Sequence, residues 1–279
     1  MIESALAQAD IDHEISRFHS LYAQRPLRRN LGGMRYNHSF ALWFILDRLQ
    51  PSLIVESGVF QGHSTWLIEQ TCPGAQLFCL DVDFSRLLYK SERAAYIQKD
   101  FAQCSWRDLP KQDALCFFDD HQNAYQRLKD LRWAGFKRAV FDDNHPCGEG
   151  DCYSLKHMLA GFGHPRMQMS EKFQGNEDER QRRAMFEDIV KVAGPRQQLL
   201  VPPNEEDRDL FWQNCRSYVE FPPVALAPRS ATWDKEYQGA YETKPPLIAP
   251  QSLPPAIKDM LASDASEFDY SFMAYVELT

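Results

Sequence analysis

No stretch of this chain approaches the ~20 uninterrupted apolar residues that span a bilayer, so no membrane-embedded role is expected. Positive charge is also short. Thirty-one Lys and Arg stand against 39 Asp and Glu, a net charge of -8. A nucleic-acid binder would carry a basic surplus or stripe. The two short basic clusters, Arg25 to Arg29 and Arg180 to Arg183, read as solvated faces. The cysteines lack a framework: Cys72, Cys79, Cys104, Cys116, Cys147, Cys152 and Cys215 are odd in number and irregular in spacing. That argues against a disulfide scaffold and for a reducing compartment. No C-x-x-C pair supports a zinc site at His145, Cys147 and Cys152, and no local signature makes Cys147 or Cys152 a nucleophile. The run from Gly148 to Asp151 lacks the lysine of a phosphate-binding loop. The first residues carry acids and no apolar core of signal-peptide length, so no export signal and a cytoplasmic location are expected. There is no internal repeat and no low-complexity tract.

What is present is ordinary globular composition, 44% hydrophobic and 25% charged, in 279 residues, enough to bury a sizeable core. Residues 1–50 read as a helical segment: Ile11, Ile15, Phe18 and Tyr22 recur at helix spacing, and Phe40, Ala41, Phe44, Ile45 and Leu49 form a second stripe that Pro51 closes. From there to about residue 142 strands and helices alternate. Strands are expected at Leu53 to Glu56, Gln76 to Leu80, Ala95 to Gln98, Ala114 to Phe118 and Arg138 to Phe141. Helices are expected at Ser64 to Gln70, Phe84 to Lys90 and Asn123 to Trp133. The near-continuous apolar strands suit a parallel sheet covered on both faces. The alternation predicts an α/β fold with a doubly wound, mostly parallel, Rossmann-like sheet. A core over 51–165 is followed by an irregular, Pro-rich cap over 166–270. The cap has helices at Tyr153 to Phe162 (leading into it), Asn176 to Ala193 and Asp207 to Cys215, and a strand at Tyr218 to Phe221. Residues 271–279 supply a terminal strand that joins the core sheet.

The densest signal is LIVESGVFQGHS, Leu53 to Ser64: an apolar strand, an acid, a turn with Gly58 and Gly62, then a helix start. Such a turn brings backbone N–H groups to a helix N-terminus, where an anion is favoured. Acids then mark the carboxyl ends of the strands in succession: Glu56, then Asp81 and Asp83, then Asp100, then Asp119 and Asp120 with His121, then Asp142 and Asp143 with Asn144. Ligands of doubly wound sheets bind at that edge. Asp81 lies 23 residues after Gly58, close to the offset at which an acid meets a ribose hydroxyl. Its competing role is to cap the helix expected after it. The dinucleotide fingerprint G-x-G-x-x-G is absent, because Gly58 and Gly62 are separated by Val59-Phe60-Gln61. An NAD-type oxidoreductase is therefore the weaker reading.

VESGVFQGHST is similar to the first motif of class I S-adenosylmethionine-dependent methyltransferases, and closest to the catechol O-methyltransferase and macrocin O-methyltransferase-like kinds. The resemblance covers about residues 50–145. It implies that Glu56, Gly58, Gly62 and Ser64 hold the methionine moiety of the cofactor. LDVDFSR resembles the second motif and implies that Asp81 holds the ribose. KDFAQ resembles the region bordering the adenine, with Asp100 and Phe101 as candidates. FFDDHQNAYQRL and VFDDN resemble the fourth and fifth motifs. In metal-dependent members these supply acidic ligands to one divalent cation, which implies Asp119 (also counted at the cofactor edge), Asp142 and Asp143 as ligands here, with Asn144 alongside. Oxygen ligands of this kind suit Mg²⁺, Mn²⁺ or Ca²⁺.

The departures are informative. Where catechol-type enzymes place a lysine base, this chain has Gln122. His121 and His145 are then the candidate bases, with Asp142 as the acid beside them. Of Asp119 and Asp120, only one can point into a site from a strand end. The expected activity is divalent-metal-assisted O-methylation of a small polar metabolite, a sugar or hydroxylated natural product, with S-adenosyl-L-methionine as cofactor. The expected partner is that small-molecule acceptor, not nucleic acid or membrane, and self-association is left open. A methyltransferase-fold binding or assembly protein without turnover is the alternative in a different class.

Overall fold

In a computed structural model, residues 2–30, 32–145, 152–161, 205–226 and 244–279 are described. The helix expected at Asn176 to Ala193, the Arg180 to Arg183 cluster, Cys147 and the Gly148 to Asp151 run lie outside them. Three helices open the chain: α1 (Ile2–Gln8), which the sequence pattern did not single out, α2 (Ile11–Tyr22) and α3 (Tyr36–Leu49). Apolar residues surround α3 almost completely, and its positions from Tyr36 to Leu46 are buried. A helix buried on all sides must satisfy its polar groups internally. Asn37 does so, donating to the carbonyls of Ala225 and Phe268 at 2.8 Å each and accepting from the Val224 N–H at 2.9 Å. Gln50 ends the helix in the left-handed region, φ 42°, just ahead of Pro51.

The sheet then builds in the expected order: β1 (Leu53–Ser57), α4 (His63–Thr71), β2 (Gln76–Leu80), β3 (Ala94–Ile97), β4 (Ala114–Phe118), α5 (Ala124–Ala134), β5 (Arg138–Phe141) and α6 (Leu155–Leu159). It is completed by α7 (Glu205–Asn214), β6 (Cys215–Phe221), α8 (Pro255–Ser263) and β7 (Met273–Leu278). Seven strands lie in the order β3-β2-β1-β4-β5-β7-β6. All pairs from β3 to β5 are parallel, and β7 runs antiparallel to both β5 and β6. The fold is a doubly wound, mostly parallel α/β sheet. Alternation within the strands feeds two cores. Ile54, Leu115 and Phe117 face the layer that holds α3, while Leu53, Val55, Cys116 and Phe118 face α5 and Phe101. Strand order reverses between β1 and β4, which opens a crevice at their carboxyl ends.

Three elements differ from expectation. Phe84 to Lys90 forms no helix. Asp81 Oδ1 accepts the Asp83 N–H and Asp83 accepts the Ser85 N–H and hydroxyl, local bonds that compete with helical ones. The Leu88 and Tyr89 N–H groups both donate to the Gln61 carbonyl, at 3.2 and 2.9 Å. The segment is docked on the glycine turn instead of coiled over the sheet. The helix expected at Tyr153 to Phe162 is one short turn, α6, followed by Gly161 at φ 67°. Finally, the strand expected inside the cap is β6, and it closes the edge of the main sheet against β7.

Candidate functional site

The glycine turn sits at the crevice, and its geometry shows why the two glycines are there. Gly58 (φ 91°) and Gly62 (φ 89°) occupy the region that side chains resist. A Cβ at Gly58 would lie 2.0 Å from the Asp119 carbonyl oxygen, and one at Gly62 would lie 2.2 Å from that of Tyr89. The turn is therefore wedged between the end of β4 and the docked 84–90 segment. Asp81 ties it down: Oδ2 accepts the N–H groups of Val59 (2.9 Å) and Phe60 (3.1 Å). With no helix after it, Asp81 caps the turn rather than a helix. Oδ2 thus accepts two N–H groups, while Oδ1, which among the described residues accepts only the Asp83 N–H, keeps a lone pair for a further donor.

Glu56 lies beneath the turn, fully buried. Its Oε2 accepts from the Thr65 hydroxyl (2.6 Å) and the Cys79 thiol (3.1 Å), and the Ser64 hydroxyl adjoins it. Oε1 has no partner among the described residues. Burial pushes this carboxyl up to about 7. Because the native value is raised above the ordinary 4.5, the protonated form favours folding. That contribution is whole below pH 4.5 and fades as pH rises through 7. Urea unfolding at pH 5 and pH 8 is expected to show Glu56→Gln gaining on the wild type by about 3 kcal/mol between the two. A constant difference across that range would contradict the assignment.

Asp119 and Asp120 part company, as their position at a strand end requires. Asp120 accepts from the Ser57 hydroxyl (2.6 Å) and from Arg127 Nε (2.9 Å). Arg127, 1% exposed, also grips Asp100 through two bonds of 3.1 and 2.6 Å. This corrects two expectations. Asp100 is held by Arg127 and by the Ala102 N–H, and Phe101 is a core ring stacked on Trp106 at 5.1 Å and edge-on to Phe118. A ring buried to that depth offers no face to an adenine.

Asp119 turns the other way, into a group shared with the end of β5. One potential ligand atom each from Asp119, His121 and Asp143 lies within 4.8 Å of the others. Asp143 sits between two imidazoles, His121 Nδ1 at 3.2 Å and His145 Nε2 at 3.4 Å. Burial opposes its charge, but His121 and His145 hold its carboxyl well below the usual range. Burial and the neighbouring Asp142 and Asp143 drive the Asp119 carboxyl well up. Burial likewise pushes Asp142 up to about 6, against the pull of His38. Three carboxyls crowded where the lining Arg127 is already held by Asp100 and Asp120 fit a cation, because a further positive charge would relieve that repulsion.

Of the expected trio, Asp119 and Asp143 lie in this group with His121. Asp142 adjoins them: its Oδ1 accepts the Asp143 N–H (2.9 Å) and faces His38 Nε2 at 3.6 Å. Asn144, expected alongside, is engaged in hydrogen bonds between elements. Its amide donates to the Tyr218 hydroxyl and accepts the Lys156 N–H, which joins β5 to β6 and α6. Gln122, in the lysine position, is buried and donates to the Asp120 carbonyl (3.2 Å). Two site neighbours were missed. His38, on α3, accepts the Ser271 N–H at 3.0 Å and reaches Asp142. The polar run Asn37-His38-Ser39 inside an apolar helix was the available signal. Arg127 lies at helix spacing from Ala124 and Leu131, on the apolar stripe of α5, and a charge on that face was the available signal.

No family model matches this sequence, and no curated protein matches it. Among solved structures, the SAH-bound Podospora anserina methyltransferase PaMTH1 aligns over 97% of this chain and 88% of its own, at 10% identity and TM-score 0.44. A methyltransferase from Geobacter sulfurreducens aligns over 49% and 72%, at 15% identity and TM-score 0.34. The Mg-SAM form of cmcI-D160 aligns over 44% and 64%, at 21% identity and TM-score 0.31, so this chain spans less than two thirds of that protein. Likeness at these levels assigns no activity.

Proposed function

We propose that this chain is an S-adenosylmethionine-dependent methyltransferase that acts, with a divalent cation, on a hydroxyl oxygen of a small polar acceptor. One observation carries the reading. The glycine turn and the Asp119–His121–Asp143 group meet at the crevice between β1 and β4, joined by the backbone contact of Gly58 with Asp119. Strand β7, reversed between β5 and β6, also departs from the parallel 3-2-1-4-5-6 order of dinucleotide-binding sheets, which weakens the NAD alternative.

The cofactor supplies an activated methyl group, and the cation supplies Lewis acidity that lowers the pKa of a bound hydroxyl. The protein's part is placement. The turn between Gly58 and Gly62 and the start of α4 receive the amino-acid end of the cofactor, and Asp81 the ribose hydroxyls. Asp119, His121 and Asp143 hold the cation, and His145 fixes Asp143 from behind. Asp142 remains at that edge as a group able to take the acceptor's proton. The 2.9–3.1 Å bonds of Asp81 to the turn make it a brace in addition to the ribose role proposed for it. Calorimetric titration with S-adenosylhomocysteine is expected to show micromolar binding, weakened at least tenfold in Asp81→Ala. Absence of binding at millimolar concentration would sink the cofactor assignment.

A further inference from the structure

We infer that the cation site is built for a borderline first-row transition ion, Mn²⁺ through Zn²⁺, in preference to Mg²⁺ or Ca²⁺, because His121 contributes an imidazole nitrogen to it. This rests on the cation assignment above and goes beyond it in naming the metal class. The all-oxygen set implied by the sequence resemblance is replaced by two carboxylates and one nitrogen.

The placement of His121 follows from residues around it. The turn from β4 to α5 is locked on its far side: Asp120 is gripped by Ser57 and Arg127, and the Gln122 N–H donates to Asp120 Oδ1 at 3.3 Å. Asn123 then caps α5 by accepting the Gln126 N–H at 2.9 Å. With its neighbours on both sides fixed, His121 stands at φ 51° and its ring turns toward the end of β5. There Asp143, also left-handed at φ 54°, presents its carboxylate. His121 and Asp119 come from one strand end and Asp143 from the next, so the three donors converge from two parts of the backbone. His145, facing the other oxygen of Asp143 at 3.4 Å, orients that ligand in the manner of an outer-shell partner.

The donor chemistry decides the metal. Mg²⁺ and Ca²⁺ are hard ions that favour oxygen ligands, and Mg²⁺ gives up its waters reluctantly. Imidazole nitrogen favours the later first-row ions, with affinity rising from Mn²⁺ to a maximum at Cu²⁺ and falling again at Zn²⁺. Among the described residues lining this pocket the basic side chain is Arg127, which is already engaged by Asp100 and Asp120. The negative charge of the cluster therefore falls to the metal and the imidazoles.

Electron paramagnetic resonance of the full chain titrated with Mn²⁺ tests this without reference to turnover. Bound Mn²⁺ is expected to show nitrogen modulation. A tenfold excess of Mg²⁺ is expected to leave it in place, and equimolar Zn²⁺ to displace it. His121→Ala is expected to lose at least tenfold in Mn²⁺ affinity and the nitrogen modulation. His121→Asp is expected to recover affinity without nitrogen and to admit Mg²⁺ as a competitor. His145→Ala keeps the nitrogen signal if His121 is the ligand. The inference is overturned if wild-type Mn²⁺ shows no nitrogen, if equimolar Mg²⁺ displaces it, or if Mn²⁺ does not bind at millimolar concentration. Should His121→Ala fail to fold, the wild-type spectrum and the Mg²⁺ competition decide. S-adenosylhomocysteine titration of the same sample is independent. Cofactor binding without nitrogen modulation ends this inference alone, and nitrogen modulation without cofactor binding ends the methyltransferase reading alone.

Discussion

Replacing Arg127 with methionine is expected to destabilise the protein by about 3–5 kcal/mol, the loss typical of breaking a buried ion pair from one side. The side chain is 1% exposed and bonds both Asp100 and Asp120, so its removal leaves two carboxylates in a low-dielectric interior. Arg127→Lys is expected to recover little, because a single ammonium cannot reproduce the fork that bonds both oxygens of Asp100. A triple variant, Arg127→Met with Asp100→Asn and Asp120→Asn, is expected to regain much of the loss, since no charge is then stranded. Urea unfolding of the set forms the cycle. Equal losses in the single and triple variants would show that packing, not charge pairing, gives Arg127 its weight.

The second large effect is expected at Gly58. Alanine there would place its Cβ 2.0 Å from the Asp119 carbonyl oxygen and 2.4 Å from the carbonyl carbon, both backbone atoms that cannot rotate away. The position also needs φ 91°. Overpacking and backbone strain together are expected to cost about 3 kcal/mol or more. Any relief must move the turn or the end of β4. Affinities for S-adenosylhomocysteine and for the cation are therefore expected to fall together, by at least tenfold each. Gly74→Ala, where a Cβ meets nothing within 4 Å, is the neutral control. Loss of one affinity with the other intact would show that turn and cation group are separate devices.

The fold was legible where local pattern and tertiary context agree. Strands buried on both faces must be apolar throughout, which placed β1, β2 and β4 to within a residue of their ends. The Phe84 to Lys90 helix was misread because its sequence suits a helix, while Asp81, Asp83 and the Gln61 carbonyl bind the backbone in another arrangement. Strand β6 was assigned to a cap because the Pro-rich segments around it resemble loops and its partner, β7, lies over fifty residues away in sequence. For the site, strand-end logic brought Asp119, His121, Asp142, Asp143 and His145 to one edge. It could not show which carboxylate faces which way. That depends on Arg127 drawing off Asp120 and Asp100, and on His38 arriving from α3 to meet Asp142. A polar side chain on a buried helix face signals that a partner exists, but not which distant carboxylate it is.

The central claim is that the cofactor binds at the glycine turn, beside the Asp119–His121–Asp143 group. Amide chemical-shift mapping of the ¹⁵N-labelled chain with S-adenosylhomocysteine tests it most directly. Saturable shifts are expected at residues 58–64, 81–83 and 119–121. Shifts confined instead to the groove lined by Phe78, Lys99 and Trp106, or absent at saturating ligand, would contradict it.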